Sequence, residues 1–241
     1  MELTELMTSS QPFLAWLVDW YHQRPALVFE DLLESAGGDP SSIAILAVDV
    51  TSGFCAEGPL ASERVGDIVP HIVHVFQRAH DLGVRHFILP QDTHSEDAVE
   101  FESFPPHCVA GSGEPVTVPE LTALPFSDLY RVMEKDTISS NIDTELAPWL
   151  DEHPEVNTFV VAGDCTDFCV HQLAMYLRLR ANARKLRDVR VIVPIAGVDT
   201  FHIPVEVAEE IGGMPHHGDL LHLVFLYSMA QNGVEIVSEV M

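Results

Sequence analysis

From Ile43 onward, short runs rich in β-branched residues alternate with stretches of helical periodicity, and no other feature of the sequence restricts the fold so strongly. Parallel strands need a crossover of a dozen or more residues, usually a helix, so the alternation predicts a parallel sheet assembled from βαβ units. Candidate strands run over residues 43–50, 85–89, 129–133, 158–162, 189–193 and 234–237, which makes six. Between the first two, Val65, Ile68, Val69, Ile72, Phe76 and Ala79 recur on one helical face, and Gly83 follows as a stop. A second helix begins near Asp167 with Val170, Leu173, Ala174 and Leu177 on one face, which places Cys169 in its first turn.

Ahead of this pattern, Phe13, Trp16, Leu17 and Trp20 fall in register on an extra amphipathic helix, closed by Arg24-Pro25 and later by Gly37-Gly38-Asp39-Pro40. Residues 1–40 therefore read as a helical extension and residues 41–241 as one domain, since 241 residues suit a single large core. The tryptophans of the extension serve either internal packing or self-association into a homo-oligomer. Residues 91–124, rich in Pro, Ser, Glu and His, are too long for an ordinary βα loop, and such loops usually carry function.

Charge narrows the choice of partners. With 37 acidic against 12 basic residues, a net charge of −25 repels phosphate backbones and anionic membranes, so neither nucleic acid nor a membrane is expected as a partner. No apolar run approaches the roughly 18 residues that span a bilayer, and the first residues lack the basic region and cleavage site of a signal peptide. A cytoplasmic protein acting on a small molecule is expected. The four cysteines, Cys55, Cys108, Cys165 and Cys169, form no disulfide framework or C-x-x-C pair, so reduced thiols are expected and a zinc knuckle fits poorly.

In open α/β sheets ligands bind beyond the carboxyl ends of the strands, so polar residues there carry the most weight. Asp49 closes the first strand, Lys135 follows the third, and Cys169 follows the fourth. An Asp after a strand also serves as a turn or capping residue, and a buried Cys is commonly a small hydrophobe. Lys135 is more informative, because it is one of only two lysines in the chain. A helix N-terminus, an ammonium and an acceptor carboxylate would together make the Cys169 thiol a nucleophile, with main-chain N–H groups at the helix start receiving an oxyanion.

A second constellation occupies the long loop: Asp92-Thr93-His94, Glu100, and Pro105-Pro106-His107. Carboxylate and imidazole at i and i+2 of an extended segment point the same way. With further O or N donors they suit Zn, Fe or Mn better than Ca, although the chain holds 13 histidines. His71, His74, His80, His86, His216 and His217 are assigned to the surface or core.

Four ordered segments together resemble the nicotinamidase branch of the isochorismatase-like cysteine hydrolases, from about Ile43 to the C-terminus. They are residues 48–55 (Val-Asp-Val-Thr-Ser-Gly-Phe-Cys); Asp92-Thr93-His94 with residues 105–111 (Pro-Pro-His-Cys-Val-Ala-Gly); Glu134-Lys135-Asp136; and residues 163–170 (Gly-Asp-Cys-Thr-Asp-Phe-Cys-Val). The plant type is most similar, through the Gly-Phe-Cys after Asp49 and the tail from His202-Ile203-Pro204 onward. The resemblance implies a three-layer, Rossmann-like α/β/α fold on a six-stranded parallel sheet, and Asp49, Lys135 and Cys169 as catalytic residues. It also implies an oxyanion hole from the Cys165 and Cys169 N–H groups, a cis peptide at Asp164–Cys165, and Phe54 and Phe104 flanking a pyridine ring. One divalent metal, Zn before Fe or Mn, would be held by Asp92, His94 and His107.

This chain departs from the common bacterial pattern at Thr51, Ser52 and Gly53, and lacks a His between the two metal segments. Glu100 takes that place in the reading, with Glu102 or water as substitutes. The expected reaction is hydrolysis of nicotinamide to nicotinate and ammonia through a thioester on Cys169. The alternative is a related amidohydrolase acting on a carbamoyl, ureido or other carboxamide group.

Overall fold

The computed structural model describes residues 1–241. Its strands are β1 (Ile43–Val48), β2 (His86–Asp92), β3 (Tyr130–Lys135), β4 (Thr158–Asp164), β5 (Arg190–Pro194), β6 (Val198–Asp199) and β7 (Glu235–Val237). All pair in parallel in the order β3-β2-β1-β4-β5-β7, with β6 paired to the end of β4. The six expected strands are present, and β6 is an addition. Two residues are too short to show any alternation, and β6 exists because Gly163 and Asp164 pair with Val198 and Asp199.

The helices are α1 (Leu3–His22), α2 (Phe29–Ser35), the single turns α3 (Ser52–Cys55) and α4 (Glu63–Gly66), α5 (Val69–Asp81), another single turn α6 (Pro119–Thr122), α7 (Leu146–Glu152), α8 (Cys169–Arg184), α9 (Val205–Ile211) and α10 (Gly218–Gln231). Every residue of β1 is buried, as in a central parallel strand covered on both faces, which explains its continuous apolar run. Ile43, Ile45 and Ala47 face a core with α2 and α5, whereas Ala44, Leu46 and Val48 face one with α7, α8 and α10. Full burial of such side chains contributes about 1.5–3 kcal/mol each, which outweighs differences in local propensity.

The predicted face from Val65 to Ala79 belongs to two helices. Pro70 sits in the first turn of α5, where its missing N–H is harmless, and Val65 on α4 packs instead with Phe54 and Cys108. The N-terminal extension is laced to the other end of the chain: the Leu27 and Phe29 N–H groups donate to the carbonyls of Glu239 and Met241 at 2.9 Å each. Phe29 and Leu32 enter the core, while Phe13, Trp16 and Trp20 gather around Tyr227 of α10. No helix is long and apolar enough to cross a membrane.

Gly163 lets β1 and β4 converge at the end that carries the polar residues. It has φ +114°, and a Cβ there would stand 1.9 Å from the Val48 carbonyl oxygen. Only glycine tolerates both the conformation and the approach. Gly163→Ala is expected to lower stability by about 3 kcal/mol or more, read from the denaturation midpoint in urea.

Candidate active site

Strand register assembles the site. Asp92 and Lys135 are the last residues of β2 and β3 and are paired partners; Val48 pairs with Gly163, so Asp49 and Asp164 leave adjacent strand ends together. Asp49 adopts a left-handed φ of 57°, which Asp tolerates better than most residues, and its Oδ1 accepts the Asp92 N–H at 2.7 Å. Cys169 is the first residue of α8, four residues after Cys165, whose peptide with Asp164 is cis.

Lys135 lies among these groups with its side chain fully buried. Its Nζ pairs with Asp92 Oδ1, lies 2.8 Å from Asp49 Oδ2, donates to the Thr137 carbonyl at 3.2 Å and reaches Cys169 Sγ at 3.6 Å. Burial alone would discharge an ammonium, but Asp49 and Asp92 more than offset it and hold Lys135 well above its ordinary value. The two carboxylates diverge. Burial, then the nearby Asp92 charge, pushes Asp49 up to about 6 against the pull of Lys135. For Asp92, burial is outweighed by Lys135 and His94, and its carboxyl falls below the usual range.

Burial also pushes the Cys169 thiol well above its ordinary value, with Lys135 opposing and the carboxylates reinforcing. Burial thus favours the neutral thiol at Cys169, so chemistry at this sulfur would need a base. Asp49 Oδ2 could accept a proton: it is buried, lies 2.8 Å from Lys135 Nζ and forms no hydrogen bond of good geometry. The N–H groups of Cys165 and Cys169 have no acceptor elsewhere in the protein, which leaves two donors at the start of α8.

The pocket over Cys169 encloses about 500 Å³ counting its open mouth. Phe54 and Phe104 line it, together with Leu60, Ile138, Phe168 and Phe201, which sequence spacing did not single out. Phe168 was visible within the Cys169 segment, but Ile138 and Phe201 carried no local signal. Asp164 is a further residue missed. It lines the pocket floor, burial and then Asp49 hold it well above the carboxylate range, and its Oδ1 has no partner. His216, assigned from sequence to surface or core, is buried with Nε2 2.8 Å from Asp167 Oδ2, two residues before Cys169.

Asp92, His94 and His107 are all buried and bring donor atoms within 4.8 Å of one another. His94 Nδ1 lies 2.8 Å from Asp136 Oδ1 and His107 Nδ1 lies 2.9 Å from the Pro105 carbonyl, which turns both Nε2 atoms toward Asp92. His94 Nε2 is buried without a hydrogen-bond partner. An unpartnered imidazole nitrogen beside a carboxylate and a second imidazole, each ring oriented by an outer acceptor, is a donor set that fits a divalent transition metal. Glu100 lines the same pocket outside this trio of donors.

The isochorismatase domain model matches residues 43–193. Nicotinamidase 1 of Arabidopsis thaliana is 31% identical over 217 residues, covering 83% of this chain and 87% of that protein. Among solved structures, a nicotinamidase from Bacillus subtilis superimposes with a TM-score of 0.62 at 22% identity, covering 81% of this chain and 99% of the other. A pyrazinamidase from Pyrococcus horikoshii, in complex with zinc, gives 0.61 at 20% identity, covering 81% and 98%. With the family model spanning most of the sheet, this chain belongs to the isochorismatase family of hydrolases.

Proposed function

We propose that the protein hydrolyses the carboxamide of nicotinamide, or of a near relative with an aromatic ring, to the acid and ammonia. The observation that carries this reading is the buried arrangement of Asp49, Lys135 and Cys169 beneath an aromatic pocket beside the Asp92, His94 and His107 donors. The likeness to the plant nicotinamidase supports the substrate.

The carboxamide carbon sits over Cys169 Sγ with its oxygen toward the N–H groups of Cys165 and Cys169. As sulfur attacks, the thiol proton passes to Asp49, and the developing oxyanion is met by the N–H groups of Cys165 and Cys169, which have no other acceptor. Collapse of the adduct breaks the C–N bond, and the leaving nitrogen takes the proton from Asp49, so ammonia departs and a thioester remains on Cys169. Water then gives a proton to Asp49 and its oxygen to the acyl carbon. The second collapse releases the acid, and the thiolate is reprotonated from Asp49. Lys135 stays charged throughout and offsets the negative charge shared by Asp49, Asp92 and sulfur.

Phe54 and Phe104 hold the faces of the ring, and Phe168 and Phe201 exclude water. Asp92, His94 and His107 would hold one divalent ion, zinc first, with Glu100 or water completing its shell. When bound, the ion supplies a Lewis-acid position for a ring nitrogen, which selects a pyridine carboxamide over a benzamide. The exposed faces of Phe13 and Trp16 on α1 support self-association of the protein.

Cys169→Ala is expected to release no ammonia from nicotinamide above background while keeping the far-UV circular dichroism of the parent; undiminished turnover would refute the nucleophile. Asp49→Asn keeps the shape but loses the proton acceptor, and kcat/KM should fall about 10²–10⁴-fold. Dialysis against a chelator should suppress turnover of nicotinamide, and added Zn should restore it in the parent but not in His94→Gln.

A further inference from the structure

Apart from the active pocket, metal-binding side chains also converge at the opposite, amino-terminal edge of the sheet. His86 opens β2, His153 follows α7 directly and Glu155 comes two residues later, with a donor atom of each within 4.8 Å of the others. We propose that His86, His153 and Glu155 form a second divalent metal site, suited to Zn²⁺ or a similar transition ion.

The three residues come from backbone that is already fixed. His86 is a ladder residue paired with Ala44. The turn carrying the other two is tied at both ends: the His153 N–H donates to the Trp149 carbonyl at 3.0 Å, Val156 to His153 at 3.1 Å, and Asn157 to Ser42 beside β1 at 3.0 Å. Little main-chain ordering is left for an ion to impose.

Side-chain geometry is close to a coordination shell. His153 Nδ1 and Glu155 Oε1 are 2.9 Å apart, whereas neighbouring ligands with bonds of about 2.1 Å stand roughly 3.0–3.4 Å from each other. A divalent ion would bind His153 Nδ1 and Glu155 Oε1 with the imidazole in the tautomer that carries its proton on Nε2, and His86, whose donor atom lies within 4.8 Å of theirs, would move in to join them. His86 and His153 have ring centroids 5.1 Å apart, and Trp149 walls them in at 5.5 and 4.6 Å. The partial exposure of both imidazoles leaves that movement free and provides an entry path.

Two imidazoles and one carboxylate favour Zn²⁺, Ni²⁺ or Cu²⁺ over Ca²⁺ and Mg²⁺, which need more oxygen ligands. Arg85 and Arg131 border the same notch, but Arg85 donates to the carbonyls of His80 and Val84, and Arg131 pairs with Glu145 at 2.9 Å. The net charge of −25 draws cations to the surface as a whole.

Equilibrium dialysis of the purified protein against micromolar Zn²⁺, with metal counted by mass spectrometry, tests the site. His86→Gln/His153→Gln should bind one ion fewer than the parent, and Glu155→Gln, altered only at an exposed carboxylate, should weaken that ion roughly tenfold or more. His94→Gln/His107→Gln should retain the ion. Because the readout is a difference between variant and parent, it holds whether or not the active pocket carries a metal. Zn²⁺ should also raise the thermal unfolding midpoint of His94→Gln/His107→Gln, and circular dichroism without metal should show each variant folded. Equal zinc content in the parent and in folded His86→Gln/His153→Gln would overturn the proposal.

Discussion

One buried ammonium holds the carboxyl end of the sheet together. Lys135 lies among Asp49, Asp92 and Cys169, and no surface group screens it. Opposite charges 4 Å apart attract by roughly 4 kcal/mol at an effective dielectric constant of about 20, which is comparable with what it costs to bury each of them. The attraction works only because register leaves no choice of position: Asp92 and Lys135 are paired residues, and the Asp92 N–H reaches back to Asp49. A slip of β3 by one residue would turn the lysine to the other face and leave two carboxylates unpaired.

The same arrangement separates two carboxylates that look alike in sequence. Asp92, beside the Lys135 ammonium and the His94 imidazole, is held low, whereas Asp49 is raised by burial and then by Asp92 and is the more ready to accept a proton. A carboxylate that titrates higher is the better base for a thiol that burial keeps protonated. Asp164, raised further by burial and by Asp49, adds no third negative charge to the pocket floor. The three carboxyls thus diverge through burial and through which charged neighbours each one meets.

Legibility from sequence followed the range of the signal. The central strands were visible because burial on both faces writes a continuous apolar run, and Asp49, Lys135 and Cys169 were visible because strand ends are where such a sheet presents its chemistry. Their partnership was not, since it depends on which strands are neighbours, and residues 48 to 169 reach the site from four of them. Phe201 and Ile138 became pocket walls only once β6 and the turn after β3 had been placed. Pro70 split one predicted helical face into α4 and α5, a boundary that periodicity alone runs across.

The long segment after β2 shows how a stretch without regular structure can still hold ligands in place. His94 bridges to Val109, the Cys108 N–H donates to Glu114 Oε2 at 2.7 Å, Gly53 donates to the Glu114 carbonyl, and Thr51 bridges to Thr117. Gln91, buried in β2, donates to the Thr117 hydroxyl. The segment is therefore stitched to the turn that carries Phe54 and to the strand that carries Asp92. Main-chain hydrogen bonds between His94 and residues 108–110 hold His107 and His94 close to each other. Cys169 is held by the same logic from the far end of the chain. His222 Nδ1 lies 2.9 Å from the Thr166 hydroxyl, and His216 meets Asp167, so the turn that presents Cys169 is braced by α10 and the loop before it. Asp49, Lys135 and Cys169 thus sit where two irregular segments are each tied to regular ones, with their mutual distances set by the sheet.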